Sequence, residues 1–263
     1  MNISHKTSLQ TSFNITSEQE AELRHLGSVL TPSPLMINSK NFNDFVSQLM
    51  IPNTVMELSR KCSGISLSAR EIKGIERSLH DGRLRDILED KLEEDPSHPP
   101  YIRVDCTNGS PHLYGSPVVL EIWPGQHFSP IHSHGKTTGI IYCLTGQLEV
   151  MLYDHLNWEA KKLGLLTLKQ GDCAWLNEQH FPVHKVYSSM PKDAFAASLH
   201  AYLNKDELPL LQSESNSRDE FDFVHEDEPH DLGCFQTYSD LTWKQLVREI
   251  DRRAPLNEFG AES

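Results

Sequence analysis

Two histidines separated by one residue, His132 and His134, are the side chains of this chain with the clearest potential to bind a metal ion. Along a β-strand the side chains alternate between two faces, so both imidazoles would point to the same side. If that side is the interior of a barrel, the two rings can hold one metal ion between them. For so short a motif, the alternative is a pair of histidines that binds no metal. The surrounding sequence has to distinguish between these two interpretations.

The surrounding stretch, residues 123–146, resembles the first sequence motif of the cupin fold. In that motif a glycine, two histidines, a metal-binding glutamate and a second glycine follow one another. Gly125 and Gly146 occupy the glycine positions here, but Gly139 stands where the glutamate is usual. The chain therefore lacks the carboxylate ligand of ordinary cupins and of the oxygenases with two histidines and one carboxylate.

A third histidine is then needed to complete the site. Residues 173–186 resemble the second cupin motif, and they contain two histidines. His184 lies in a strand-like run just before Lys185 and Val186, whereas His180 lies in the turn before that run. The strand-like position favours His184 as the third ligand, with His180 as the competitor.

Short strands separated by turns would position these residues. Several glycines fall at plausible turns, and the close, regular spacing predicts a sandwich or barrel, of which the cupin jelly roll is one form. The predicted strands are 118–123, 139–144, 147–153, 162–168, 173–176, 182–187 and 195–202. We therefore predict a mainly β protein with a cupin jelly-roll barrel.

Helices are predicted on both sides of the barrel. Apolar periodicity indicates helices at 38–50, 68–80, 84–92 and 240–253, and Ser68 with Glu71 forms a capping-box pattern before the second of them. Residues 1–100 are thus expected to form an arm and helices that pack on the barrel, and 101–211 the barrel with its metal site. Residues 212–263 are expected to form an acidic, solvated loop, centred on 214–231, and a closing helix.

Composition limits the classes of partner. The net charge of −13 argues against binding to nucleic acid or to an anionic membrane, and no apolar run approaches the roughly 20 residues that span a bilayer. The polar N-terminus shows no secretory signal. Five scattered cysteines without a CxxC pair indicate free thiols in a reducing compartment. We expect a cytoplasmic monomer that acts on a small molecule.

Several motifs taken together resemble the cysteine dioxygenase family of cupin thiol dioxygenases. The matching pieces cover residues 101–202, about two fifths of the chain, and their order and spacing carry the resemblance. They are Tyr101-Ile102-Arg103, Trp123 nine residues before His132, the histidine pair, the run from Cys173 to His184, and Ser198-Leu199-His200-Ala201-Tyr202.

The resemblance implies that His132, His134 and His184 hold Fe(2+) and that a small thiol and O2 are the substrates. Arg103 would bind the substrate carboxylate, because a guanidinium matches a carboxylate with paired donors, and Tyr101 would line the same pocket. It also implies a hydrogen-bonded relay of Ser198, His200 and Tyr202, which alternate on one strand. No acidic partner for this trio is evident in the sequence, which argues against nucleophilic catalysis.

Three functions remain open at this point. The first is oxidation of L-cysteine to its sulfinic acid, which Arg103 favours, since related 3-mercaptopropionate dioxygenases carry glutamine in this place. The second is oxidation of another small thiol, such as 3-mercaptopropionate, and the third is a metal-binding cupin sensor without turnover. The cysteine that some family members link to the relay tyrosine is replaced by Gly139, so Tyr202 is expected to be unmodified.

Overall fold

The structure is a computed structural model, and it describes residues 65–94, 100–106, 118–135, 138–176, 183–203, 220–224, 232–236 and 239–255. The predicted arm, the predicted helix at 38–50 and the competing ligand His180 lie outside these ranges. No helix within them is both long enough and apolar enough to cross a membrane.

Two helices precede the strands, α1 (Ala69–Asp81) and α2 (Arg83–Glu94). The hydroxyl of Ser68 accepts a hydrogen bond from the backbone N–H of Glu71, and the Glu71 carboxylate accepts one from the backbone N–H of Ser68. This reciprocal pair satisfies two amides that have no partner inside the helix. Both helices and the capping box are therefore confirmed.

The described residues form twelve strands in two sheets of six. The strands are β1 (Ile102–Asp105), β2 (Val118–Pro124), β3 (His132–Ser133), β4 (Thr138–Thr145), β5 (Gln147–Tyr153), β6 (Lys162–Lys169), β7 (Cys173–Leu176), β8 (Val183–Ser188), β9 (Phe195–Leu203), β10 (Glu220–Val224), β11 (Leu232–Gln236) and β12 (Leu241–Thr242). One sheet has the order β12-β1-β2-β9-β4-β7, and the other has the order β11-β10-β3-β8-β5-β6. Helix α3 (Trp243–Arg253) follows β12 directly, with Thr242 as its cap.

The two sheets enclose one apolar interior and carry a second apolar layer outside. Apolar side chains from both sheets, among them Ile141 of β4 and Val150 of β5, form a single buried cluster between the sheets. Outside the first sheet, Ile75 of α1 and Ile250 of α3 pack in another cluster with strand residues such as Leu120. The barrel thus has its own core, and the helices cover one of its walls.

Strand β2 shows how the sequence separates these two layers. Leu120 and Ile122 belong to the cluster under the helices, whereas Trp123 belongs to the cluster between the sheets. Glu121 alternates with them and therefore shares the inner face with Trp123. A carboxylate is thus placed inside the barrel by the same alternation that buries its apolar neighbours.

The facing sheets, almost entirely antiparallel, form a jelly-roll barrel of the cupin type, with helices before it and after it. The predicted fold class is confirmed. The parallel pairing of β12 with β1, which places Leu241 opposite Val104, fastens the last helix to the edge of the first sheet.

The acidic segment 214–231 differs from the expectation of a continuous loop, because it contains β10. This strand pairs with β11 on one side and with β3 on the other, where Phe223 lies opposite His132. Asp222 is exposed and Val224 is buried, so the strand becomes buried toward its C-terminal end. The loop prediction is wrong for these five residues, which support the strand that carries His132.

Candidate metal centre

Three histidines converge inside the barrel. His132 on β3 is paired directly with His184 on β8, and His134 follows β3 by one residue. The ring centroids of these residues are 4.3, 4.8 and 4.9 Å apart, and one nitrogen from each ring lies within 4.8 Å of the others. The spacing lets one metal ion contact all three rings. The structure brings the three predicted ligands together.

The hydrogen bonds of the triad prepare its nitrogens for a metal. Nδ1 of His132 donates to the carbonyl oxygen of Pro130 at 2.9 Å, which sets the neutral tautomer whose lone pair is on Nε2. Nδ1 of His184 is buried and has no hydrogen-bond partner within the described residues. Because an unsatisfied buried nitrogen is costly, a ligand such as a metal ion fits this cradle.

Burial also keeps the three rings in the state that binds metals. It lowers the pKa of His132 to about 4, although the bond to Pro130 and the charge of Glu121 oppose this. Burial, followed by the neighbouring imidazoles, lowers the pKa of His134 and of His184 well below the usual value. All three are therefore neutral imidazoles at neutral pH, as metal ligands must be.

Gly139 leaves the triad without an acidic neighbour on β4. A Cβ atom at this position would lie 3.5 Å from Nδ1 of His134 and 3.9 Å from Cδ1 of Tyr202, which are ordinary contact distances. A side chain could be accommodated there. The donor set of the centre therefore consists of neutral nitrogens, a set that suits several divalent first-row metals.

One pocket contains the triad together with all but one of the other predicted site residues. Most of its lining residues lie on strands of the two sheets. The lining residues are Tyr101, Arg103, Glu121, Trp123, Ser129, His132, His134, Gly139, Ile141, Leu176, His184, Val186, His200 and Tyr202. Ser198, the remaining predicted residue, is buried next to this lining and contacts His200.

Arg103 is paired inside the pocket with a residue that the sequence analysis did not single out. Its Nη1 donates to Oε1 of Glu121 at 2.9 Å, and Oε2 of the same carboxylate lies 3.0 Å from Nε2 of His200. Arg103 and Glu121 are directly opposite each other on β1 and β2. The expectation that no acid accompanies the trio of Ser198, His200 and Tyr202 is therefore wrong. A glutamate in the middle of the apolar run 118–123 was the available signal.

Burial raises the pKa of Glu121, but His200 and Arg103 outweigh this effect, and the net result is a pKa below the usual value. The carboxylate is therefore ionised. Burial of the Tyr101 hydroxyl raises its pKa far above the ordinary range, with a further increase from Glu121, so this phenol keeps its proton.

The predicted relay is partly visible in the hydrogen bonds. The indole N–H of Trp123 donates to Oγ of Ser198 at 3.0 Å, and that oxygen lies 2.8 Å from Nε2 of His200. The ring of Tyr202 lies 6.4 Å from that of His200 and 5.3 Å from that of His134. Tyr202 is thus the member of the trio whose ring lies beside the triad.

Tyr101 stacks on Trp123, with ring centroids 4.0 Å apart and an interplanar angle of 17°. Trp123 is 1% exposed and belongs to the pocket lining. The pair forms a rigid aromatic wall beside Arg103.

No protein-family model matches the chain, and no curated protein matches it. Solved structures are similar at low identity. An oxalate oxidase solved with the substrate analogue glycolate is 13% identical over 43% of this chain and 54% of its own, with a TM-score of 0.30, so the match spans about half of that protein. A cupin superfamily protein from Desulfitobacterium hafniense is 10% identical over 39% of this chain and 76% of its own, with a TM-score of 0.27. A protein from Klebsiella pneumoniae with a double-stranded β-helix domain is 16% identical over 47% and 77%, with a TM-score of 0.30.

Likeness at this level assigns no activity, so the function has to be inferred from the chain's own residues. Those residues form a jelly-roll barrel of the cupin type whose pocket holds three neutral histidines suited to a metal ion.

Proposed function

We propose that this chain is an iron(II)-dependent thiol dioxygenase that converts L-cysteine and O2 to cysteine sulfinic acid. The observation that carries the proposal is the presence of three neutral histidines and one buried arginine in the same pocket. His132, His134 and His184 would hold the metal, and Arg103 would bind the substrate carboxylate. The substrate thiol would lie between these two groups.

The neutrality of the ligands is what favours a thiol. Three imidazoles leave the double positive charge of a ferrous ion uncompensated, so a sulfur that gives up its proton is stabilised beside them. Bound iron supplies the redox chemistry through which both atoms of O2 are transferred to sulfur, giving RSO2H from RSH. Gly139, which lies next to His134, adds no carboxylate to this set of ligands.

Arg103 is suited to bind a carboxylate because it is held in place. Its side chain is 5% exposed, belongs to the pocket lining and forms an ion pair with Glu121. A fixed guanidinium loses little conformational freedom when it binds a ligand, which favours affinity. Tyr101 and Trp123 form the wall next to it and would limit the length of the substrate.

Tyr202 is the residue best placed to donate a hydrogen bond to the reacting groups, because its ring lies beside His134. His200 and Ser198 are buried behind it and would fix its surroundings. In this proposal Tyr202 orients the substrate, and the other two residues act as positioning residues.

Oxygen uptake by the protein loaded anaerobically with ferrous iron is the test. L-Cysteine and 3-mercaptopropionate are offered separately, and the products are identified by mass. Formation of cysteine sulfinate, with L-cysteine preferred and with activity lost after chelation of the metal, is the expected result. A preference for 3-mercaptopropionate would move the assignment to the other thiol. Absence of uptake with either thiol, in protein shown to contain iron, would favour a metal-binding sensor.

A further inference from the structure

Glu121 occupies a central position in the pocket. It is directly opposite Arg103 on the neighbouring strand β1 and opposite Ser198 on the other neighbour, β9. Its side chain is 2% exposed, and its two oxygens contact Arg103 and His200 at 2.9 and 3.0 Å. It therefore joins the predicted substrate-binding residue to the predicted relay.

The pocket has an unusual balance of charge. Among its described lining residues, Arg103 is the sole lysine or arginine and Glu121 is the sole carboxylate. The two charges are in contact, so the pair has no net charge before a ligand or metal enters. The pocket is thus not a simple anion site, although it contains an arginine.

This balance changes which ligands fit. A ligand carboxylate bound to Arg103 would lie within a few Å of the ionised Glu121, and two like charges in a buried site repel strongly. A ligand that also brings an ammonium group removes this repulsion, because the ammonium can lie on the Glu121 side of the pocket. A mercaptocarboxylate without an amine cannot do so.

We propose that Glu121 is the residue that determines substrate specificity, and that its ion pair with Arg103 selects thiols that carry an ammonium group over mercaptocarboxylates. The inference deepens the function proposed above and rests on it for the identity of the ligand as a thiol. It assigns Glu121 a role in choosing the ligand rather than only in holding the barrel together.

Binding of three thiols to the cobalt(II)-loaded protein under anaerobic conditions tests this role. The absorption of the cobalt ion reports thiol binding without any turnover. L-Cysteine carries both charged groups, cysteamine the ammonium alone, and 3-mercaptopropionate the carboxylate alone. The wild-type protein is expected to bind 3-mercaptopropionate about tenfold or more weakly than L-cysteine.

The variant Glu121→Gln keeps the size of the side chain and removes its charge. Its preference for L-cysteine over 3-mercaptopropionate is expected to fall to within about threefold, and cysteamine is expected to bind more weakly than in the wild type. The control is Glu149→Gln, since Glu149 is also buried but lies outside the pocket lining and contacts Thr167 and Gln147. Glu149→Gln should bind the three thiols with the same order of affinities as the wild type.

A second measurement needs no metal and no thiol. Glu121→Gln leaves the charge of Arg103 without its carboxylate, so a small carboxylate in solution should take that place. Acetate is therefore expected to raise the melting temperature of metal-free Glu121→Gln but not of the metal-free wild type or of Glu149→Gln. If the single variant does not fold, the double variant Arg103→Gln/Glu121→Gln replaces it and should bind cysteamine and 3-mercaptopropionate equally.

The outcomes separate the two proposals. If the three thiols bind with the expected order of affinities but no oxygen is consumed, the result would support the role of Glu121 and overturn the dioxygenase. Oxygen uptake, with the same order of thiol affinities in the wild type and in Glu121→Gln, would support the dioxygenase and overturn the role of Glu121. A double variant that still prefers cysteamine to 3-mercaptopropionate would also overturn the role of Glu121. Failure of every thiol to bind the cobalt protein would overturn both.

Discussion

Glu121 and Glu249 are both 2% exposed, but they lie in different layers of the molecule and contact different partners. Glu121 is inside the barrel, where it contacts Arg103 and His200. Glu249 is on α3, where it accepts hydrogen bonds from the hydroxyl of Ser78 and from the backbone N–H of Arg83. A buried carboxylate can thus adjust the charge of a pocket or fasten one helix to another.

The surroundings of Glu121 and Glu249 explain why the two carboxylates act differently. Glu249 also contacts Arg252 and Arg253, and the side chain of Arg252 is 69% exposed, so water reaches part of this network. The partners of Glu121 are enclosed, at 4% exposure each. Variants in the barrel interior should therefore alter ligand binding, and variants in the helix layer should alter stability.

The largest expected effect is in the interior. His184→Ala removes one ligand of the triad and should weaken metal affinity by about 100-fold or more, since even the loss of a supporting hydrogen bond costs roughly 10- to 100-fold. Metal content after dialysis measures this, together with urea unfolding of the metal-free protein, which should change far less. His127→Ala is the control, because His127 lies outside the pocket lining; loss of metal from both variants would contradict the assignment.

The next effect is in the helix layer. Glu249→Gln should lower the free energy of unfolding by about 2 to 3 kcal/mol, because charged hydrogen bonds to two helices are weakened, and should leave metal affinity unchanged. Burial raises the pKa of Glu249, but Ser78, Arg83 and Arg253 outweigh it and lower the pKa overall. The stabilisation is therefore present above the ordinary carboxyl pKa and is lost as the pH falls through the lower, folded-state pKa.

Urea unfolding at several pH values measures this difference, which should shrink below about pH 4. The matched control is Glu89→Gln, an exposed carboxylate paired with Arg85 on α2, whose replacement should cost at most about 0.5 kcal/mol. Equal losses in the two variants would show that Glu249 does not join the helices in the way its contacts indicate.

A smaller expected effect tests the role of charge inside the barrel. Gly139→Glu introduces the carboxylate that the centre lacks, and it should weaken thiol binding about tenfold while metal is retained, because the new negative charge opposes the thiolate. Gly139→Gln has nearly the same shape without the charge. Thiol titration of both cobalt-loaded variants checks this, and equal affinities would contradict the argument from neutral ligands.

The smallest effect concerns Trp123. Trp123→Phe keeps an aromatic ring against Tyr101 but removes the N–H that donates to Ser198, a hydrogen bond of about 1 kcal/mol. In the proposed dioxygenase, turnover of L-cysteine should fall a few-fold at saturating substrate, with KM almost unchanged, because Ser198 would act through its contact with His200. A rise in KM with constant kcat would instead place Trp123 in substrate binding.

The histidine triad could be predicted from the sequence because its information is local. The period of two places His132 and His134 together, and the strand-like run around His184 favours it over His180. The capping box of α1 is local in the same way, since Ser68 and Glu71 are three residues apart. Such patterns do not depend on the rest of the chain.

The role of Glu121 could not be predicted because its partners are distant in sequence. Arg103 is 18 residues away, and His200 lies on a strand from the far end of the barrel domain. The sequence shows only a glutamate in an apolar run. Strand β10 was missed for a related reason, because acidic composition indicates a loop while the pairing that makes it a strand comes from β3 and β11.

The parallel pairing of β1 with β12 has a consequence for how the protein is made. The backbone N–H of Arg103 donates to the carboxylate of Asp240, 137 residues later, and β12 pairs with β1 just beyond this contact. At about 5 to 20 residues per second, a ribosome needs about 7 to 27 seconds to synthesise the intervening chain. Throughout that interval one edge of β1 has no partner from β12, and an exposed strand edge invites association with other chains. A nascent chain stalled before Asp240 would therefore be a candidate for chaperone binding.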